Sequence, residues 1–527
     1  MAGFSLGNRL RGSTGLSSGG RLSAGTGLYF GGFGFSPASL FAAGEQGVWY
    51  DPSDLTTLFQ DSAGNTPVTA VEQAVGLMLD KSKGLTLGSE LVVNGTFPVN
   101  TASWSAGGGA SIARDTTVFS NGALLVTVTG ASSTFALQTV TGLTAGKIYI
   151  LSADVYTPSS NSNSTDRATI GVQVSSFTSA GSVSQSLRDV IQTITIRFIA
   201  SGTSQTIYCS VVPTDYTVWG TLGNVAYFDN ISVKELLGNH ATQSTSAARP
   251  VLSARVNLLL ATTTLATQSV TTVATGHTLR FDGTGSITLS GTAAGTYTAG
   301  SYTFTPTAGT LTLTVSGSVT DADLRATNDG VGLPVYQRVN TSTDYDTTGF
   351  PLYLRFDGTD DSMATGSISF TSTDKMSVFS GLRKLSDALE GCFVELSTNF
   401  ISNNGSFTMF ARGSNYPTGF DTPYRGTIQV TTPGFVAAAP TSQVITSSYD
   451  IAAPLAVFRS NGVQVSSTTS TAGTGNFGNY PLYIGSRAGT SSRFNGRLYS
   501  LIVRGAASTA QQISDTETWI NGKAKAY

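Results

Sequence analysis

Charge is scarce in this chain. Asp, Glu, Lys and Arg make up 11% of its 527 residues, against roughly 25% in ordinary soluble domains, so hydroxyl and amide groups must carry its solubility. With 29 basic and 31 acidic residues the formal net charge is −2. No basic cluster supplies the electrostatic footprint that binding a phosphate backbone requires, which argues against nucleic acid as a partner. Cysteine is nearly absent. Cys209 and Cys392 are the only two, they fall in different candidate modules, and no disulfide framework is implied. In "TIYCSVV" the alternation puts Ile207, Cys209 and Val211 on one strand face, where a thiol serves as a small hydrophobe. The two histidines, His240 and His277, offer no metal-ligand spacing. No run approaches the roughly 18 apolar residues needed to cross a bilayer. The start, "MAGFSLGNRLRGSTGLSSGG", lacks the apolar block of a secretory signal.

What is present is length, glycine and alternation. At about 100–200 residues per domain the chain holds several. Residues 1–36 read as an extended glycine-rich arm, too costly in conformational entropy to fold alone. Its aromatics Tyr29, Phe30, Phe33 and Phe35 suit anchorage on a neighbouring protein surface. Residues 37–86 follow, with "LFAAGEQGVWYDPSDLTTLFQDSAGNTPV" at their heart. The apolar positions there follow neither helical nor strand spacing, and the segment is too short for a comfortable core of its own. Phe41, Trp49, Tyr50 and Phe59 are therefore expected to face a partner. From Ser89 to Glu235, short runs such as "ALLVTVTG", "TITIRFIA" and "VAYFDNISV" alternate with period two between polar turns, which predicts an antiparallel sandwich over 87–238. Residues 239–340 read as a connector and a small β-module, expected as a sandwich or two-sheet unit, in which "HTLRFDGTGSITLSGTAAGTYTAGSYTFTP" alternates nearly perfectly. Residues 341–527 form the last module. There "RSNG" signals a tight hairpin at Asn461-Gly462, and Ile513, Thr516, Trp519 and Ile520 stand at helical spacing near the end. The fold class expected is all-β: a multi-domain chain of antiparallel β-sandwiches (jelly rolls) behind an extended arm, closed by one short C-terminal helix.

Three resemblances sharpen this reading. "LFAAGEQGVWYDPSDLTTLFQDSAGNTPVTAVEQAVGLMLDKS" resembles the shared N-terminal segment of a group of tailed-bacteriophage virion proteins, which implies attachment to a virion. "ELVVNGTF", "TASWSAGG", "VTGLTAGKIYILSADVY" and "AYFDNISVKE" resemble a carbohydrate-binding-module family with a jelly-roll fold. That likeness implies glycan contact, for which Trp104 and Tyr156 offer aromatic faces complementary to the C–H face of a sugar. It also implies a structural calcium near Glu90 and Asp229. "FDGTDDSM", "NGV", "LYIGS" and "FNGRLYSLIV", in that order, resemble the laminin-G-like, concanavalin-A-like jelly roll, whose members bind glycans or proteins, some through calcium; Asp360 and Asp361 stand in its opening motif.

Catalysis is not expected. Glycoside hydrolysis ordinarily needs two carboxylates facing each other across the bond. The nearest pair in the last module, Glu390 and Glu395, is five positions apart, which on a regular strand points the two side chains to opposite faces. The function expected is that of a bacteriophage fibre or spike subunit, a homotrimer localised in the virion. Its N-terminus would dock to capsid or tail proteins while its sandwiches reach host-surface glycans, with no cofactor beyond structural calcium and no membrane insertion. The alternatives are a capsid decoration or cement protein that binds no sugar, and a capsule-degrading glycosidase.

Overall fold

The computed structural model describes residues 35–172, 181–216 and 218–527. Strands dominate, and the single α-helix among the described residues is Ala510–Ala524, so the all-β expectation with one closing helix holds.

The first sandwich is contiguous in sequence. One of its sheets runs in the order Gln192–Ile199, Ile148–Tyr156, Val225–Glu235, Ala123–Val128 and Ala110–Asp115. The other runs Ser182–Ser184, Asp166–Gly171, Ser204–Pro213, Phe135–Thr141 and Ser105–Ala106. Alternation drives the pairing: Ile194, Ile196 and Phe198 of one strand and Ile207, Cys209 and Val211 of another all enter the same core, while their neighbours face outward.

The second sandwich is assembled from distant pieces. Its eight-stranded sheet runs Val251–Ser253, Tyr353–Asp357, Asn495–Arg504, Lys375–Lys384, Thr441–Asp450, Leu455–Ser460 and Val463–Thr468, with Gly47–Tyr50 also paired to Asn495–Arg504. Tyr353–Asp357 occupies one half of that strand, with Asp357 opposite Asn495, and Gly47–Tyr50 takes the other half, with Tyr50 opposite Leu501. Its nine-stranded sheet begins with Leu58–Phe59, Leu77–Met78 and Ala241–Thr242, then continues through Met363–Ser369, Asn479–Ile484, Gly391–Leu396, Ser406–Arg412, Gly419–Arg425 and Gln429–Val436.

The segment 37–86 is therefore part of this sandwich, which corrects the expectation that its aromatics face another protein. Val48 and Tyr50 enter the core between the two sheets. Trp49 points the other way, into a cluster beneath the C-terminal helix with Leu40, Phe379, Ile502 and Ile520, against which Phe35 and Phe41 also pack. Its ring meets Trp519 edge-on at 5.8 Å. Gly47–Tyr50 is buried on both faces, and a strand covered on both sides has no reason to alternate. Phe59 turns toward the first sandwich, packing with Leu77, Leu79, Ile148 and Leu236 beneath the Arg197 guanidinium. The arm residues Tyr29, Phe30 and Phe33 lie outside the described residues.

Asp80 ties the pieces together. Its buried carboxylate accepts hydrogen bonds from the backbone N–H groups of Trp49, Ser82 and Asn239. Its own N–H donates to Nδ1 of His240, at 2.9 Å, while Nε2 of that ring meets the carbonyl of Leu236. Burial holds the His240 pKa down at about 4 and raises that of Asp80.

A small module, Gln268–Ala326, is inserted in sequence between the strands Val251–Ser253 and Tyr353–Asp357 of the second sandwich, and it is one sheet where two were expected. Gln268–Thr272, Gly309–Ser316, His277–Gly291 and Gly295–Phe304 are its strands in order, with Val319–Ala326 also on His277–Gly291. The terminal helix is started by a capping box, Thr509 with Gln512, and buries Thr516 and Ile520 as its spacing predicts. Asn461 and Gly462 both take positive φ in the expected hairpin turn.

Candidate functional site

The outer face of the sheet containing Ile148–Tyr156 is divided. Its end near Ile148, Ile150 and Arg197 is covered by Phe59, Gly64 and Leu77. Its other end is open and carries the candidate site. Tyr156 and Tyr227 stand opposite each other on adjacent strands with rings 5.9 Å apart and nearly perpendicular, both half-buried. The Tyr156 hydroxyl meets Asp189 Oδ1 at 3.3 Å, and the same carboxylate accepts the backbone N–H of Ser159. One step along the strands, Asp154 accepts from Thr193 Oγ1 and from the exposed Asn230 side-chain amide, at 2.8 Å for the latter. Asp229 lies opposite Asp154 where the ladder bulges. Burial and the neighbouring Asp154 charge raise its pKa, and its Oδ1 has no hydrogen-bond partner.

This arrangement has the chemistry of a sugar platform: ring surface flanked by acceptors and amide donors on a rigid sheet. Of the two aromatics expected to stack on sugar, the structure keeps Tyr156 on this face and removes Trp104. Trp104 is 6% exposed, packs against Phe97 and donates its indole N–H to the carbonyl of Asn94, so it is core. Tyr227 was missed. The only sequence signal for it was its place outside the alternating core positions of "VAYFDNISV". A second aromatic group lies on the other sheet, where Phe135 meets Tyr208 at 5.0 Å and Trp219 at 5.7 Å. There Thr129, Gly130, Ala131, Val218, Trp219, Gly220 and Leu222 line a cleft of about 600 Å³.

The proposed calcium ligands divide as well. Glu90 is occupied as a clasp: it accepts from the N–H groups of Val92 and Val233 and from Ser232 Oγ. Those hydrogen bonds lower its pKa despite partial burial, and it forms no metal-binding group with Asp229 among the described residues. Asp360 and Asp361 do come together with Asp357, their ligand oxygens within 4.8 Å of one another. Asp361 is held up to a pKa of about 7 by burial and by the two neighbouring carboxylates. These three could hold a divalent cation.

The geometry of Glu390 and Glu395 corrects the argument from strand spacing. The register shifts between Cys392 and Val394, and Phe393 and Val394 both enter the inter-sheet core. That extra residue returns Glu395 to the same outer face as Cys392, where it stands opposite Thr408 and Tyr483. The pair is still unfit for hydrolysis. Glu395 is completely buried and is bonded by Ser397 Oγ at 2.5 Å and by the Ala488 N–H at 2.7 Å, so no substrate reaches it. Glu390 is engaged by Arg412, which also bonds Asp421 at 2.7 Å.

Residues 89–216 match the carbohydrate binding domain family CBM_4_9. No curated protein matches the sequence. Among solved structures, a native heptameric SAP-like pentraxin from Limulus polyphemus is similar over 31% of this chain and 80% of its own, at 11% identity and a TM-score of 0.25. The Ruminococcus gnavus IT-sialidase CBM40 bound to alpha2,3 sialyllactose covers 27% of this chain and 82% of its own, at 14% identity and TM-score 0.22. A CBM22-1 xylan-binding domain from Paenibacillus barcinonensis covers 28% and 96%, at 12% identity and TM-score 0.21. Likeness of this degree assigns no ligand to this chain. The carbohydrate-binding match falls on the first sandwich and includes Tyr156, Asp154 and Asp189; Tyr227 and Asn230 lie just beyond its end.

Proposed function

We propose that the chain is a non-catalytic glycan-attachment protein whose sugar contact is the open end of the first sandwich, with Tyr156 and Tyr227 as the aromatic surface and Asp154, Asp189 and Asn230 as the polar rim. The observation that carries this reading is that half-exposed tyrosine pair, with Tyr156 inside the carbohydrate-binding segment and Tyr227 opposite it on the adjacent strand. The site offers a sugar the carboxylate acceptors of Asp154 and Asp189 and an amide donor on Asn230, with the Arg188 guanidinium beside Asp189. The tailed-bacteriophage resemblance adds a setting, a virion appendage, and supports host or surface attachment as the purpose. Since residues 37–86 are committed to the second sandwich, the docking part of that reading falls on the arm that precedes Phe35.

The test is glycan-array binding by the full chain and by Tyr156→Ala and Tyr227→Ala. Loss of a ring contact worth about 0.5–1.5 kcal/mol weakens binding roughly 2- to 12-fold, with the fold retained. Trp219→Ala is the comparison. Sugar binding lost only in the Trp219 variant would move the site to the cleft on the other sheet, and no binding by the full chain would leave a structural decoration protein.

A further inference from the structure

The strand Gly295–Phe304, "GTYTAGSYTF", pairs on one side with His277–Gly291 and on the other side with nothing among the described residues. A ten-residue edge strand usually carries a charge, a proline or a cover that prevents it from adding a further strand. This one has no charged residue and no proline. Thr296, Thr298, Ala299, Ser301 and Thr303 are exposed.

Its sequence is also nearly the same in both directions. Outward from the Ala299–Gly300 peptide, Thr298 corresponds to Ser301, Tyr297 to Tyr302 and Thr296 to Thr303. The backbone respects the same centre. In a straight strand, residues five apart lie on opposite faces at about 16 Å separation, yet the rings of Tyr297 and Tyr302 are 4.7 Å apart. The strand therefore bends sharply at its midpoint, where the register of its partner skips from Phe281 to Ser286. Both tyrosines end up on one face, packed against the module's core.

We propose that this edge pairs with the same edge of a second copy of the chain, antiparallel, about a two-fold axis that lies between the two strands, level with the Ala299–Gly300 peptide. An identical strand is the occupant that uses the symmetry. Two-fold antiparallel pairing sets Tyr297 opposite Tyr302 of the second copy, Thr298 opposite Ser301, and Thr296 opposite Thr303. It thus matches ring with ring and hydroxyl with hydroxyl on the same face. Because the bend coincides with the axis, both strands fold over together, and 296–298 of each copy pairs with 301–303 of the other on either side of an interrupted centre. No charge sits on the strand to meet its own like across the axis. Such a pair presents two copies of each sandwich, which raises effective concentration toward any repeated surface ligand. It is a two-fold association, in contrast to the trimer expected of a fibre.

Sedimentation equilibrium of the full chain at micromolar concentration tests this. The expected mass is twice that of the 54.5 kDa chain, with Thr298→Lys weakening association at least tenfold and Thr298→Ser leaving it unchanged. As a second measurement, an equimolar mixture of Thr298→Cys and Ser301→Cys chains is expected to form a disulfide-linked dimer under mild oxidation that neither forms alone. The native Cys209 and Cys392 are buried and do not compete. A single chain's mass at all concentrations, a trimer, a dimer indifferent to Thr298→Lys, or an absence of mixed cross-linking would each overturn the proposal.

Discussion

The two sandwiches are built from the same kind of strand but are joined to the sequence differently. In the first, every strand comes from one continuous stretch, Ser105–Glu235, and inward residues alternate with outward ones. The second borrows Gly47–Tyr50 to complete a ladder on Asn495–Arg504, and borrows Leu58–Phe59, Leu77–Met78 and Ala241–Thr242 to extend the opposite sheet. The lesson is that a segment without amphipathic period need not be waiting for a partner molecule. Its missing partner can be its own chain some 450 positions away, as the Ser500 hydroxyl donating to the Tyr50 carbonyl shows.

Truncation breaks that comparison most directly. Residues 87–238 alone are expected to unfold cooperatively, as a complete sandwich does. Residues 341–527 alone, lacking five borrowed strands, are expected to aggregate or to show no cooperative transition by calorimetry, because open edges are exposed and the core loses Val48, Tyr50, Leu58, Met78 and Leu252. Removing residues 1–34 leaves both sandwiches intact, whereas removing 1–86 abolishes the second transition. Cooperative unfolding of 341–527 at the stability it has in the full chain would sink this account.

How much was legible follows from the same difference. Alternation in "TIYCSVV" predicts Ile207, Cys209 and Val211 on one face, and all three enter the core, with Ser210 and Val212 of the other face buried as well. It fails for "GVWY", which is buried on both faces, and it says nothing of Trp104, which precedes the strand Ser105–Ala106 and is held by Phe97 and Asn94. It failed again at Glu395, because a bulge is a property of two paired strands and leaves no mark on one. Tyr156 was visible because an aromatic ended an alternating run. Tyr227 acquires its role only from being opposite Tyr156, which no local pattern encodes.

Core substitutions sharpen the comparison by assigning each aromatic to one transition. Trp104→Ala is expected to cost about 3–5 kcal/mol in the first sandwich, and Tyr50→Ala a similar amount in the second. Both side chains are buried, Tyr50 completely, and Tyr50 also loses the hydrogen bond from its hydroxyl to the Asn239 carbonyl. In a two-transition calorimetric trace each variant lowers one midpoint. If Tyr50→Ala lowered only the transition of the first sandwich, the segment would belong there instead.

The smallest effect is expected where two opposed titrations meet in the second sandwich. His240 has its folded pKa depressed to about 4, from an ordinary value near 6.5. Between those values the unfolded chain binds a proton that the folded chain refuses, so stability rises with pH there and is lost on acidification. Asp361 behaves in reverse. Its folded pKa is raised to about 7, so from the ordinary carboxylate range up to that value the folded chain binds the extra proton and stability falls as pH rises. Each slope is at most ~1.4 kcal/mol per pH unit, and between about pH 4 and 6.5 the two oppose. Asp361→Asn keeps an oxygen for the Asp357 N–H that now donates to it and removes the falling slope, so this variant should gain stability steadily from pH 4 to 6.5. His240→Asn should lose stability over the same window. A variant pair whose midpoints track each other across that range would show that neither group is shielded from water as its packing implies.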